Sequence, residues 1–210
     1  MAKNGGRGRN GGGKGRGNGG KSGPRWQKES MELAPNHNWK AAPGHNVFVV
    51  DRGAVQFEIP QDWVLGKETD AVTLYNRAQP DDDCRLQLTI LYGPPDIDYS
   101  DLLLGPMLEQ ATAASNPESG PLLGSGPVIE EVRPHLELAW RERRFLDPGE
   151  NREARSRAAI ARRRGVHPFF TFDYWPEDTP WCVPVWEHIM RTLRVGNYIA
   201  DPTRGPVSNE

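Results

Sequence analysis

The first 28 residues constrain the chain most, because they cannot contribute to a packed core. Between Met1 and Lys28 there are eight Lys or Arg residues, no Asp or Glu, and a preponderance of glycine. The other 18 basic residues share the rest of the chain with all 28 acidic ones, so a segment of net charge +8 precedes one of −10. A glycine-rich segment of one charge sign has too little apolar surface to offset its chain entropy. Residues 1–28 are therefore expected to form a disordered basic arm, and folding is left to the remainder of the chain. Residues 29–45, with Pro35 and Pro43, read as a linker, and 197–210, with Pro202 and Pro206, as a flexible tail. Between them, 46–196 is expected to form a single domain of about 150 residues, enough to bury one core. The seven Trp residues lie mostly in this region and supply large apolar surfaces.

Within that region the hydrophobic spacing changes period several times. Val47 to Val50 and Ala54 to Ile59 read as two strands of a hairpin around Asp51-Arg52-Gly53, and Ala71 to Asn76 as another strand. Arg85 to Tyr92 alternates Leu86, Leu88, Ile90 and Tyr92 with polar neighbours, as a half-buried strand does. Leu104, Met107, Leu108 and Ala111 recur at helical spacing after Ser100, with Pro106 marking the helix start or a kink. Asn116 to Pro127 reads as a loop. Val128 to Leu146 and Ala154 to Trp175 then read as the two arms of one long hairpin around Asp147-Pro148-Gly149-Glu150-Asn151. Val185, Trp186, Ile189, Met190 and Leu193 specify a closing amphipathic helix, with Pro184 in its first turn and Gly196 at its C′ position. This order predicts an α+β domain: an antiparallel sheet with a long C-terminal hairpin and helices packed on it.

Two stretches carry a family resemblance. Gly53-Ala54-Val55-Gln56-Phe57-Glu58-Ile59-Pro60-Gln61-Asp62-Trp63 is similar to the opening strand, Pro and Trp of PsbP-like domains. The later Phe170-Thr171-Phe172-Asp173-Tyr174-Trp175 and Trp186-Glu187-His188-Ile189-Met190-Arg191-Thr192-Leu193 resemble the closing strand and helix of the same group. The resemblance spans about 47–195 and implies an α/β/α sandwich. It also implies a binding or accessory module rather than an enzyme, and it carries over no site residues.

The chemistry-bearing residues form no catalytic constellation. Gly15 to Ser22 satisfies the literal phosphate-loop pattern, but residues 1–14 hold no apolar strand and Ser22 runs into Gly23-Pro24, so the required strand and helix are missing. Cys84 and Cys182 are too few for a disulfide framework and too distant in sequence for a closely spaced metal site. The five histidines are scattered, and His188 is expected on a different helix face from Cys182. No cofactor or metal is expected, and Asp81-Asp82-Asp83 reads as a turn. No apolar run is long enough to span a membrane and the N-terminus lacks a signal-peptide core, so a cytoplasmic location without membrane contact is expected.

Two basic groups remain as candidate binding residues. In the arm, Arg7, Arg9, Lys14, Arg16, Lys21, Arg25 and Trp26 can bind RNA or DNA without sequence preference, through phosphate charge and stacking. On the long hairpin, strand alternation is expected to gather Arg141, Arg143, Arg155 and Arg157 into one patch for an anion or partner, set against a solvated face balanced by Glu137, Glu142, Glu150 and Glu153. The leading expectation is a protein partner for the domain, and the alternative is nucleic acid held by the arm. Trp175, Trp181 and Trp186 are expected in the core.

Overall fold

The computed structural model describes residues 27–68, 70–94, 96–113 and 120–206. The arm residues Arg7 to Trp26, and the phosphate-loop match among them, lie outside the described residues.

The chain begins with a hairpin, β1 (His45–Val50) and β2 (Val55–Pro60), joined by a short 3-10 turn. Two strands come next, β3 (Val64–Leu65) and β4 (Val72–Tyr75), and then the nine-residue β5 (Cys84–Tyr92). Helix α1 (Leu104–Ala113) buries Leu104, Leu108 and Thr112, and Pro106 sits in its first turn, where no intrahelical N–H is needed. The strands β6 (Leu122–Ser125), β7 (Ile129–Arg133), β8 (Leu136–Asp147), β9 (Arg152–Arg162) and β10 (Val166–Tyr174) precede α2 (Thr179–Thr192), and β11 (Arg194–Val195) closes the domain.

The strands form two antiparallel sheets. A small one has the order β1-β2-β11, and an eight-stranded one has the order β3-β4-β5-β10-β9-β8-β6, with β7 also paired to β8. Helix α2 and the small sheet cover one face of the large sheet, and α1 lies on the other. In α2, Cys182, Trp186, Ile189 and Met190 recur at helical spacing and face the core. Trp186 stacks on Phe172 at 5.8 Å between ring centroids, and Phe57 of the small sheet meets Phe170 edge-on at 5.9 Å. These aromatic contacts weld the first and last elements to the central strands.

Several expectations are corrected. The single long hairpin is a four-stranded meander: Pro134-His135 separates β7 from β8, and Arg164-Gly165 separates β9 from β10. Arg164 and Gly165 both have positive φ, and Arg163 and Val166 exchange two backbone hydrogen bonds, which makes a two-residue turn that needs no classical turn pair. The expected loop before Pro127 contains β6. Helix α2 starts at Thr179, so Pro184 lies in its second turn, and Gly196 comes after β11 instead of capping the helix. Trp186 is buried, but Trp175 is only half-buried beneath the Arg152 guanidinium, 3.6 Å from its ring centroid, and Trp181 is exposed. The linker and tail are tied to each other: the Ala34 N–H donates to the Thr203 carbonyl, Asn38 N–H to that of Arg204, and the Trp39 indole N–H to that of Pro202 at 2.8 Å. Ile199 is buried as well, so the described part of the tail, to Pro206, is packed rather than loose.

Candidate functional site

Strand register decides which side chains meet. Arg141 pairs across β8 and β9 with Ala158, Glu142 with Arg157, Arg143 with Ser156, and Arg144 with Arg155. Directly opposed residues point to the same face, so Arg155 and Arg157 share the α2 face with Glu142, while Arg141 and Arg143 lie on the α1 face. The expected four-arginine patch is therefore split between two faces.

On the α2 face the arginines are partnered. Arg157 Nε donates to Glu142 Oε2 at 2.9 Å, the Tyr174 hydroxyl donates to the same oxygen at 2.8 Å, and Arg155 Nη1 lies 3.7 Å from Glu142 Oε1. Burial pushes the Glu142 carboxyl up, yet the hydrogen bonds from Arg157 and Tyr174 outweigh it and hold the group below its ordinary value. Burial and then Glu142 push the Tyr174 hydroxyl up to about 12. This network fastens the meander and gives both Arg155 and Arg157 a carboxylate partner among the described residues.

Among the described residues, the α1 face is covered over only part of its width. Leu104 and Leu108 of α1 pack on Ala139, Ala158 and Ile160. Arg141 reinforces that contact by donating to the Gly126 carbonyl at 2.9 Å. Beside α1 the same face opens into a cleft of about 840 Å³. Its floor is a row running straight across five strands: Tyr75, Arg85, Asp173, Ser156 and Arg143 are successive cross-strand partners from β4 to β8. Arg85 Nη2 donates to Asp173 Oδ2 at 2.7 Å, and although burial opposes it, this carboxylate holds the Arg85 guanidinium above its ordinary value. Arg143 is half-buried and its side chain makes no hydrogen bond or ion pair among the described residues. Burial, then the neighbouring charge of Arg141, lowers its pKa. Tyr75 donates to Glu68 at 2.6 Å, and burial together with that contact pushes its hydroxyl to about 12.

A second feature lies at the opposite end of this face. Arg162, buried on β9, donates to the Tyr99 and Leu102 carbonyls and pairs with Glu137, pinning the segment before α1 across the sheet. Tyr99 packs edge-on to His167, whose cross-strand partner is Leu91, and Glu137 is the partner of Val132. Around this pinned segment Leu91, Ile97, Leu102, Leu103 and Val132 are exposed, Leu103 by 65% and Val132 by 82%.

Elsewhere the reactive groups are spent on structure. Cys84 and Cys182, distant in sequence, are buried together, and hydrogen bonding to Cys182 and then burial push the Cys84 thiol well above its ordinary value. A thiol held neutral in this way is a poor nucleophile. His188 is engaged by Glu58 at 2.9 Å and by Arg191 at 2.8 Å, with His45 stacked on it. Burial pushes the Glu58 carboxyl up, but the Ala42 N–H and His188 bring it below its ordinary value. Among the described residues no group of His, Cys, Asp and Glu is placed to hold a metal ion, and no helix is long and apolar enough to cross a membrane. Sequence reading missed Arg85, Asp173, Ser156 and the exposed end. The legible signal was the polar half of the Arg85–Tyr92 alternation, where Arg85, Gln87 and Thr89 face away from the core.

Comparison with known proteins agrees with this architecture. A Nostoc sp. (strain PCC 7120) protein, described as uncharacterized protein alr1449, is 33% identical over 182 residues, covering 86% of this chain and 93% of the relative. Among solved structures, cyanobacterial PsbP (CyanoP) from Synechocystis sp. PCC 6803 superposes with a TM-score of 0.53 at 15% identity, covering 74% of this chain and 94% of that one. LpqN of Mycobacterium tuberculosis, involved in cell envelope biogenesis, is similar at a TM-score of 0.44 and 16% identity, covering 71% of this chain and 89% of its own. The likeness to CyanoP shows the fold alone, which is PsbP-like and α+β. Residues 46–199 match the Alr1449 family, and the chain belongs to it.

Proposed function

We propose that this protein is a non-enzymatic interaction module whose partner is another protein, docked at the exposed end formed by Leu91, Ile97, Leu102, Leu103 and Val132. The observation that carries this reading is the fixed exposure of those side chains on a segment pinned by buried Arg162. Apolar side chains gathered in one place and rimmed by charge are the usual mark of a protein-binding surface. The rim here includes Glu137, which is the cross-strand partner of Val132 and is paired with Arg162. A cytoplasmic location belongs to the same reading.

A photo-crosslinking residue placed at Leu103 in the full chain, and separately at the exposed Glu187 of α2, tests it in cells that express the protein. A discrete protein adduct formed from position 103, absent from 187, and lost when Val132→Asp is added, supports the proposal. Equal labelling at both positions overturns it. Fluorescence anisotropy with single-stranded RNA and duplex DNA addresses the alternative. Binding that needs residues 1–28 and weakens steeply with salt would make the protein a nucleic-acid accessory factor instead.

A further inference from the structure

We propose that the cleft beside α1 binds a small carboxylate with an apolar or aromatic body, its carboxylate on Arg143 and its body against Phe145 and Ala154. This site is separate from the exposed end and does not depend on that surface receiving a protein.

The argument starts from the cost of Arg143. A guanidinium stays protonated at any physiological pH, and half-burying one without a counter-charge, as at Arg143, is unfavourable. The neighbouring arginines have partners, although Arg141 and Arg155 each keep a buried Nε unbonded: Arg155 and Arg157 lie on Glu142, Arg144 faces Glu153 at 3.8 Å, and Arg141 donates to the Gly126 carbonyl. Arg143 alone of these lines the cleft without a partner among the described residues. Its cross-strand neighbour Ser156 lines the same wall, so a hydroxyl donor stands beside the fork. A planar carboxylate accepting two parallel N–H bonds fits this arrangement.

The remaining walls select the body and the charge. Phe145 and its cross-strand partner Ala154 supply apolar surface beside Arg143, and a volume of about 840 Å³ falls within the usual range for small-molecule sites. Five carboxylates also line the cleft. Asp173 is taken by Arg85, Asp83 by Arg77, and Asp147 accepts the Gly149 and Glu150 N–H groups, while Asp70 and Asp82 remain at the rim. This acidic rim repels a doubly charged anion more than a singly charged one, within a screening length of about 8 Å at physiological salt. The cleft is accordingly selective for a monoanion over a phosphate ester. A free acid and the C-terminal carboxylate of a peptide offer the same chemistry.

Two-dimensional amide NMR of the full chain, titrated with benzoate, hexanoate, benzamide and phenyl phosphate, tests the inference. A tripeptide ending in phenylalanine, used as free acid and as amide, separates the two sources. Benzoate or hexanoate, or the free-acid peptide, should give saturable shifts at Arg143, Ser156 and Ala154. Benzamide, the peptide amide and phenyl phosphate should bind at least about tenfold more weakly, a difference of about 1.4 kcal/mol. Arg143→Met should weaken the carboxylate about tenfold or more, Arg143→Lys by less, and Arg144→Met on the opposite face not at all. Arg143→Lys guards against a variant that fails to fold. Equal shifts with benzamide, unchanged affinity in Arg143→Met, or no saturable shift with any carboxylate would overturn the proposal.

Discussion

One face of the large sheet carries Leu86, Leu88, Ala159, Phe170 and Phe172, all but removed from solvent. One residue out of step on the same strands, the other face carries Arg85, Gln87, Ser156, Thr171 and Asp173. The strands are common to both, so the backbone cannot explain the contrast; the layer packed above each face does. Helix α2 and the small sheet seal the first face with Trp186, Phe57 and Ile189, whereas α1 shields only the strip of Ala139, Ala158 and Ile160. The sealed face carries the fold's stability, and the open face can hold polar and charged groups because little of the core depends on it.

The contrast is broken most directly by Trp186→Ala. Its side chain is fully enclosed, so the loss should be about 3–5 kcal/mol in urea denaturation, while Ser156→Ala on the open face should stay within about 0.5 kcal/mol. Similar losses at both positions would show that the faces share the load.

Glu142→Gln comes next, because it keeps the shape but leaves Arg155 and Arg157 without their counter-charge, at a cost of about 1–3 kcal/mol. The pH dependence has a definite sign. The folded Glu142 carboxyl lies below its ordinary value, so its contribution is complete above the unfolded value and vanishes as pH falls through the folded one. The variant should therefore show a flatter acid limb in a stability profile than the parent.

A smaller effect tests the hydroxyls at the two edges of the comparison. Tyr75 and Tyr174 both titrate near 12, above the ordinary value of 10.0, so each stabilises the fold fully below about 10 and loses that contribution as pH rises towards 12. Ultraviolet titration of Tyr174→Phe and of Tyr75→Phe should each remove one late-ionising phenol, with a stability cost at neutral pH of about 0.5–1.5 kcal/mol. Smallest of all is Arg143→Met, expected to leave the urea midpoint unchanged or slightly raised, within about 0.5 kcal/mol. A marked loss there would mean that the open face is structural after all.

Sequence periodicity made the framework legible where one face of an element is apolar. Leu86, Leu88 and Ile90 announced β5, and Trp186, Ile189 and Met190 announced α2. It failed where strands are charged on both sides of a tight turn. Arg162 to Arg164 continue the polar pattern into the β9–β10 turn, so Gly165 alone marks the reversal that the positive φ of Arg164 and Gly165 produces. The same run of arginines concealed the site. Alternation places Arg141 with Arg143 correctly, but only register across the 147–152 turn shows that Arg155 and Arg157 face the other way. Exposure at Leu103 was equally unreadable, because the segment before α1 is placed by Arg162 reaching the carbonyls of Tyr99 and Leu102 from another strand.

The clasp between residues 34–39 and 202–204 has a consequence for anchorage. With the Ala34 amide bonded to Thr203 and the Trp39 indole bonded to Pro202, the chain enters and leaves the folded unit at one corner. Force applied between the two ends would load this short set of hydrogen bonds before reaching either sheet. Whatever the segments beyond residues 34 and 203 hold is thereby brought alongside a single point of suspension, from which the open cleft and the apolar end remain free to swing.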